Sequence, residues 1–174
     1  MKGYWGLPEH TARTIKAGWL YTGDLAQIDE DGYITITDRK KDIVVLSGGD
    51  TLSPARVESV LTRQPEVAQA MVYGDKRPHL VALVVPDEEF MRTWASENGC
   101  PAELAALSRM KAFHDQMDRV LRRVNREVSQ MERVRRFAVA PQPFTVDNDM
   151  LTPTMKIRRH KIREAYGEVL EDLY

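Results

Sequence analysis

The chain has 174 residues, 43% of them hydrophobic, enough for one substantial core or for a compact domain that carries an extension. Its 25 basic and 26 acidic residues leave a formal net charge of −1, which removes any global drive toward nucleic acid or an anionic membrane. The one cysteine, Cys100, excludes an internal disulfide, and no secretory pattern opens the chain, so a reducing, cytoplasmic setting is expected.

In chain order, residues 1–41 read as short β segments divided by turns: 19–21, 25–28 and 33–37. The acidic turn Asp29-Glu30-Asp31-Gly32 joins the last two into a hairpin. Two strands alone are marginal in water, so this part is expected to be the edge of a larger N-terminal domain. Residues 38–42 are too charged for a buried strand, whereas Ile43-Val44-Val45-Leu46 is apolar and β-prone, so an exposed joint passes into a strand. Ser47-Gly48-Gly49 then makes a turn in which backbone can approach a ligand or take positive φ. Taken alone, the whole stretch reads as an ordinary charged turn before a strand.

Ser53 as N-cap and Pro54 at the first helical position predict a helix with Val57, Val60 and Leu61 on its apolar face, stopped at Gln64-Pro65. Residues 67–73 and 80–85 read as strands around a turn at 74–78, giving a β-α-β-β order. A helix from Pro86 or Asp87 runs through Phe90, Met91 and Trp94 and breaks near Asn98-Gly99. A long helix from 102 or 108 to 131 is expected from the stripe Met110, Phe113, Met117, Val120, Leu121, Val124, Val128 and Met131. Arg119, Arg122, Arg123 and Arg126 line its other face and continue into Arg133, Arg135 and Arg136. That basic face reads as solvated or domain-facing, with a nucleotide phosphate as the alternative. A strand at 136–140, a loop at 141–149 and a closing amphipathic helix at 158–173 complete an α+β chain without repeats.

Cys100 sits in a turn beside Gly99 and Pro101 with no acid or base nearby. His10, His79, His114 and His160 are scattered, without ligand spacing, and no metal site is expected among the side chains. No apolar run approaches the ~18 residues of a membrane-spanning helix.

Four motifs occur in one order: Gly18-Trp19-Leu20-Tyr21-Thr22-Gly23-Asp24, Asp29-Glu30-Asp31-Gly32-Tyr33, Asp38-Arg39-Lys40-Lys41-Asp42 and Leu151-Thr152-Pro153-Thr154-Met155-Lys156. Together they resemble the C-terminal third of adenylate-forming (AMP-binding) enzymes, and their wording is most similar to the long-chain fatty acyl-CoA synthetases. The resemblance implies that residues 1–41 are the C-terminal edge of a large N-terminal AMP-binding domain, ending in a hinge. Residues 42–174 are then the mobile C-terminal lid, a short antiparallel sheet packed with helices. Met1 falls mid-phrase for such a family.

The implied activity is ATP-dependent adenylation of a long-chain fatty acid followed by transfer of the acyl group to coenzyme A. No phosphate loop or acyl-pocket segment occurs in these residues, so the chain alone is expected to be inactive. By resemblance Lys156 is the catalytic lysine that bridges carboxylate and α-phosphate; without it, Lys156 is one basic residue among Arg158, Arg159, Lys161 and Arg163. Asp24 matches the carboxylate that takes the ribose hydroxyls, and Arg39 the guanidinium beside ribose and phosphate. Lys41 matches the hinge, with Lys40 and Asp42 leaving a one-residue shift open, while Ser47, Gly48 and Gly49 match the coenzyme A channel. Val45 departs from luciferase-like members, which carry a lysine there.

The implied small molecules are ATP, coenzyme A and fatty acid, with Mg²⁺ held mainly by phosphates and by the N-terminal domain. The implied protein partner is that N-terminal domain, not nucleic acid, and peripheral membrane association of the full-length enzyme stays open. Two alternatives accompany this reading: a ligase for another carboxylic acid, aryl or amino, and a stand-alone interaction module that uses the arginine face.

Overall fold

The computed structural model describes residues 1–174, the side chain of Asp38 excepted. They divide into two units, Met1–Ile43 and Val44–Tyr174.

In the first unit, Pro8 opens helix α1 (Pro8–Thr14), where its missing N–H costs nothing. Strand β1 (Ile15–Lys16) turns through Ala17 and Gly18, both at positive φ, into the antiparallel β2 (Trp19–Leu20). Strands β3 (Asp24–Ile28) and β4 (Ile34–Arg39) form the expected hairpin. Its turn is fixed by Asp29, whose carboxylate accepts from the amides of Asp31 and Tyr33, and by Gly32 at φ 85°. β4 continues to Arg39, so the charged joint is shorter than the sequence suggests, and the Asp42 amide donates to the Arg39 carbonyl to close a turn around Lys40 and Lys41. No described residue of this unit is buried, and Trp5, Trp19, Tyr33, Ile34 and Ile36 are exposed.

The second unit begins with the ribbon β5 (Val44–Val45) and β6 (Thr51–Leu52). Helix α2 (Pro54–Thr62) starts where Ser53 Oγ accepts from the Arg56 amide. Strands β7 (Val67–Tyr73) and β8 (Leu80–Pro86) make an antiparallel hairpin. Helix α3 (Glu88–Asn98) is capped by Asp87 at one end and by Gly99, at φ 61°, at the other. Helices α4 (Leu104–Leu107) and α5 (Lys111–Val124) lead to β9 (Val134–Val139), and α6 (Arg159–Glu171) closes the chain.

The sheet order is β7-β8-β9, with β9 parallel to β8, so the expected antiparallel sheet is mixed at its third strand. β8 lies in the centre, which explains why Leu80 to Val85 is apolar without alternation. Leu80, Ala82 and Val84 meet α2, α3 and α5 through Leu61, Trp94, Phe113 and Met117. Val81, Leu83 and Val85 meet Phe144, Leu151, Ile162 and Leu170 on the opposite face.

The helix expected from 102 or 108 to 131 starts at Lys111, after the separate short α4, and ends at Val124. The reason is Asn125, whose side-chain amide donates to the Val134 carbonyl at 2.8 Å and accepts from the Val134 amide at 3.0 Å. The chain is thereby turned into β9, and Val128 reaches the core from a turn while Met131 is exposed.

Candidate functional site

Asp24 opens β3 and Arg39 closes β4, and the ladder sets them opposite each other. The Arg39 Nε lies 3.1 Å from the Asp24 carboxylate, so the two residues singled out for a nucleotide's ribose are neighbours, a rigid donor fork beside an acceptor. Lys41 follows in an exposed turn just before the boundary between the units.

Ser47-Gly48-Gly49 is an exposed loop held at both ends by backbone. The Leu46 amide donates to Asp50, the Gly49 amide to Leu46 and the Ser47 amide to Arg77, while Val45 accepts from the Lys76 amide. Gly49 sits at φ 92°, a conformation that side chains resist. The loop therefore leans on the β7–β8 turn, itself tight at Gly74, where an added Cβ would meet Leu80 Cδ2 at 2.7 Å and the His79 carbonyl at 3.1 Å. That turn is tied to α6, because Arg77 and Tyr73 both bond the Glu171 carboxylate and hold it below its usual range.

A cleft of about 120 Å³ adjoins the glycine loop, lined by Gly48, Asp50, His79, Arg133 and Arg135 among others. Among the described residues, neither arginine has an ion-pair partner, and the buried Nε2 of His79 has no hydrogen-bond partner. Burial pushes the His79 pKa down, helped by the charges of Arg135 and Arg136. The arginines of α5 differ: Arg122 pairs with Asp118 and Arg123 with Glu66, while Arg119 bonds the neutral Gln116.

Lys156 is exposed at the tip of a small loop between β9 and α6. Leu151 and Ile157 bridge its base, Arg158 pairs with Asp149, and the Arg158 amide donates to the Met150 carbonyl. Thr152 grips Lys156 twice: its amide donates to the Lys156 carbonyl at 2.8 Å and its Oγ1 accepts from the Lys156 amide at 3.0 Å. Met155, immediately before the lysine, is held at φ 60°.

Glu58 and Arg159 were not singled out by sequence reasoning. Arg159, the first residue of α6, forms two parallel 2.6 Å bonds to the Glu58 carboxylate, and Glu58 Oε1 also accepts from the Val72 amide at 2.7 Å. The available signal was Glu58 itself, a charged residue in helical register with the buried Pro54, Val57 and Leu61. Thr152, four positions before Lys156, carried no such signal.

Residues 41–174 match the family model described as the AMP-binding enzyme C-terminal domain. This chain belongs to that family. It is 37% identical over 174 residues to the long-chain-fatty-acid–CoA ligase FadD15 of Mycobacterium tuberculosis, covering 99% of this chain and 29% of that protein. Over 177 residues it is 36% identical to the long-chain-fatty-acid–CoA ligase 1 of Cavia porcellus, covering 99% of this chain and 25% of that one. The A domain of a carboxylic acid reductase from Segniliparus rugosus, solved with AMP and a co-purified carboxylic acid, superposes with a TM-score of 0.80 at 30% identity. That match covers 99% of this chain and 26% of the reductase chain. The chain thus spans less than a third of the length of these relatives, and its α+β fold is that of the matched quarter of the reductase A domain.

Proposed function

We propose that this chain forms the C-terminal portion of an ATP-dependent acyl-CoA synthetase acting on long-chain fatty acids. The carrying observation is its 37% identity to a long-chain-fatty-acid–CoA ligase over a span that contains Asp24, Arg39 and Lys156. In this reading residues 1–41 are the edge of the AMP-binding domain, and the exposed Trp5, Trp19, Ile34 and Ile36 are covered by the rest of that domain. Residues 42–174 are the lid that turns about Lys41.

In the first half-reaction the fatty carboxylate attacks the α-phosphorus of ATP, pyrophosphate leaves and an acyl-adenylate forms. Asp24 accepts from the ribose hydroxyls, and Arg39, held in place by Asp24, donates to ribose and phosphate. Lys156 supplies positive charge where carboxylate and α-phosphate meet, and its gripped backbone limits the reorganisation this requires. In the second half-reaction the thiol of coenzyme A attacks the acyl carbon and AMP leaves. The glycine loop lines the path of the pantetheine arm through backbone, and the neighbouring cleft with Arg133 and Arg135 suits the phosphates of coenzyme A.

Among the described residues no group of three or more His, Cys, Asp or Glu could hold a metal ion, so Mg²⁺ is assigned to the phosphates of the nucleotide and no step is routed through it. Among the same residues no helix is long and apolar enough to cross a membrane. A cytoplasmic enzyme agrees with the single free Cys100.

A ligase for another carboxylic acid is the second reading, favoured by the match to the carboxylic acid reductase A domain. The test is acid-dependent ATP–pyrophosphate exchange and thioester formation by the full-length enzyme across fatty, aryl and amino acids, with residues 1–174 alone as control. Long-chain fatty acids are expected to be preferred and the control inactive. A preference for aryl or amino acids, or exchange by residues 1–174 alone, contradicts the proposal.

A further inference from the structure

We propose that the Glu58–Arg159 pair is a positioning device for Lys156, locking the base of its loop to the sheet. The inference rests on the adenylation role proposed for Lys156. Arg159 follows Lys156 by three positions, and the residues between have no slack: Ile157 bridges Leu151, and Arg158 is bound to Met150 through its amide and to Asp149 through its side chain. Whatever fixes Arg159 therefore fixes the lysine's backbone. The side chain of Lys156 is exposed and jointed, so the backbone is the part that the fold can aim.

The fork does this in two directions. Arg159 Nη1 and Nη2 bond the two oxygens of Glu58 on α2, and Nη1 also donates to the Val72 carbonyl on β7 at 3.3 Å. Glu58 in turn accepts from the Val72 amide, so helix, strand and the start of α6 share one set of bonds. A pair of apolar side chains can replace a buried ion pair at modest cost, here increased by the bonds lost at the Val72 amide and carbonyl. It would not set the rotation or the register of α6, which two parallel directional bonds do. The chain thus gives a core position of α2 to a carboxylate, with Pro54, Val57 and Leu61 buried around it.

The loop also carries backbone strain that its internal bonds and its anchor must hold. Met155 stands at φ 60°, which costs a non-glycine residue energy and persists where the flanks over-determine it. Thr152 supplies the flank on one side and Arg159 the anchor on the other.

The test uses the full-length enzyme with three changes: the double variant Glu58→Met/Arg159→Met, which fills the interface with unbranched apolar chains; Arg159→Lys, which keeps the charge and loses the fork; and Lys156→Ala as reference. Exchange of ATP with pyrophosphate and acyl transfer from supplied acyl-adenylate are measured separately, with melting temperature and hydrogen exchange of peptides covering residues 150–158. The double variant is expected to stay folded and to transfer acyl groups near the parental rate. Its exchange kcat is expected to fall about 10–100-fold, the size of loss that a misplaced catalytic group produces, with KM for ATP little changed. The loop peptides should exchange faster, and Arg159→Lys should fall between parent and double variant.

A folded double variant that exchanges at the parental rate overturns the proposal, and so does an equal fall in both half-reactions, which marks a purely structural pair. If the double variant does not fold, the same two outcomes are read from Arg159→Lys. Normal exchange by Lys156→Ala removes the role of Lys156 and this proposal with it, whereas a dead Lys156→Ala beside an active double variant removes the positioning proposal alone.

Discussion

Asp24 and Arg39 face each other across the β3–β4 ladder, with 3.1 Å between guanidinium and carboxylate. The Arg39 side chain is 54% exposed, and a pair that open contributes only about 0–1 kcal/mol to stability. In the proposed role its value lies in presenting two complementary groups to one nucleotide. Arg39→Ala in the full-length enzyme is expected to leave the melting temperature almost unchanged. Its KM for ATP should rise about 10-fold or more, as a lost hydrogen bond to a charged group is worth ~1.5–3 kcal/mol. An unchanged KM would remove Arg39 from the nucleotide site.

Met155 gives a backbone prediction. At φ 60° it occupies a region that disfavours side chains and β-branched ones most of all. Met155→Val is expected to destabilise residues 1–174 by ~1–2 kcal/mol in urea unfolding, whereas Met155→Gly should change little, because relieved strain is offset by a freer unfolded chain. Equal effects of the two would show that the conformation at 155 is unconstrained.

How far such features were legible depended on their range. The strands at 67–73 and 80–85, the Ser53 cap, the helix start near Asp87 and the closing helix follow from local pattern, and each formed within a residue or two of its expected position. The end of α5 at Val124 was not legible, because the apolar stripe continues to Met131 and only the long-range bonds of Asn125 to Val134 stop the helix. Nor was the parallel placement of β9, which depends on where the α3–α5 crossover returns the chain. Of the proposed site residues, Asp24, Arg39 and Lys156 were visible in motifs, while the groups that brace the Lys156 loop were not singled out. Thr152 acts on the Lys156 backbone through its own amide and Oγ1, and Glu58 and Arg159 lie a hundred and one positions apart in sequence.

Gly74 tests the bracing of the glycine loop. An alanine Cβ there would approach Leu80 Cδ2 at 2.7 Å, the His79 carbonyl at 3.1 Å and Leu46 Cδ2 at 3.4 Å. Gly74→Ala is expected to cost ~1–3 kcal/mol, as overpacking does, and to slow thioester formation more than adenylation in the full-length enzyme. Stability is read by urea unfolding and the effect on function by the two half-reactions. A greater loss of adenylation would contradict the assignment of the loop.

Two histidines give a pH prediction. Burial lowers the pKa of His79, with Arg135 and Arg136 adding to the shift, and burial lowers that of His114, partly opposed by Asp115 and Asp118; His114 stacks on Phe137 at 4.6 Å. With folded pKa values below the unfolded value near 6.5, the unfolded chain binds more protons in between. Stability is therefore full above that value and is lost as pH falls through it toward the folded values. Thermal melts of residues 1–174 from pH 7.5 to 5 should show this decline, and His79→Gln/His114→Gln should flatten it. An identical slope in the double variant would assign the decline to other groups.

The most direct test of the two-step reading is to run both half-reactions separately on Lys156→Ala and Lys41→Pro versions of the full-length enzyme, with circular dichroism to establish folding. Lys41 lies in the exposed turn before the second unit, where fixing φ should block one orientation of the lid and spare the fold. Lys156→Ala is expected to lose adenylation by about 10²–10³ and to keep thioester formation from supplied acyl-adenylate. Lys41→Pro should do the reverse, keeping most adenylation and losing acyl transfer. A folded Lys41→Pro enzyme that transfers acyl groups to coenzyme A at the parental rate, or a Lys156→Ala enzyme impaired equally in both steps, would contradict a lid that turns about Lys41 to bring first the lysine and then the glycine loop to the adenylate.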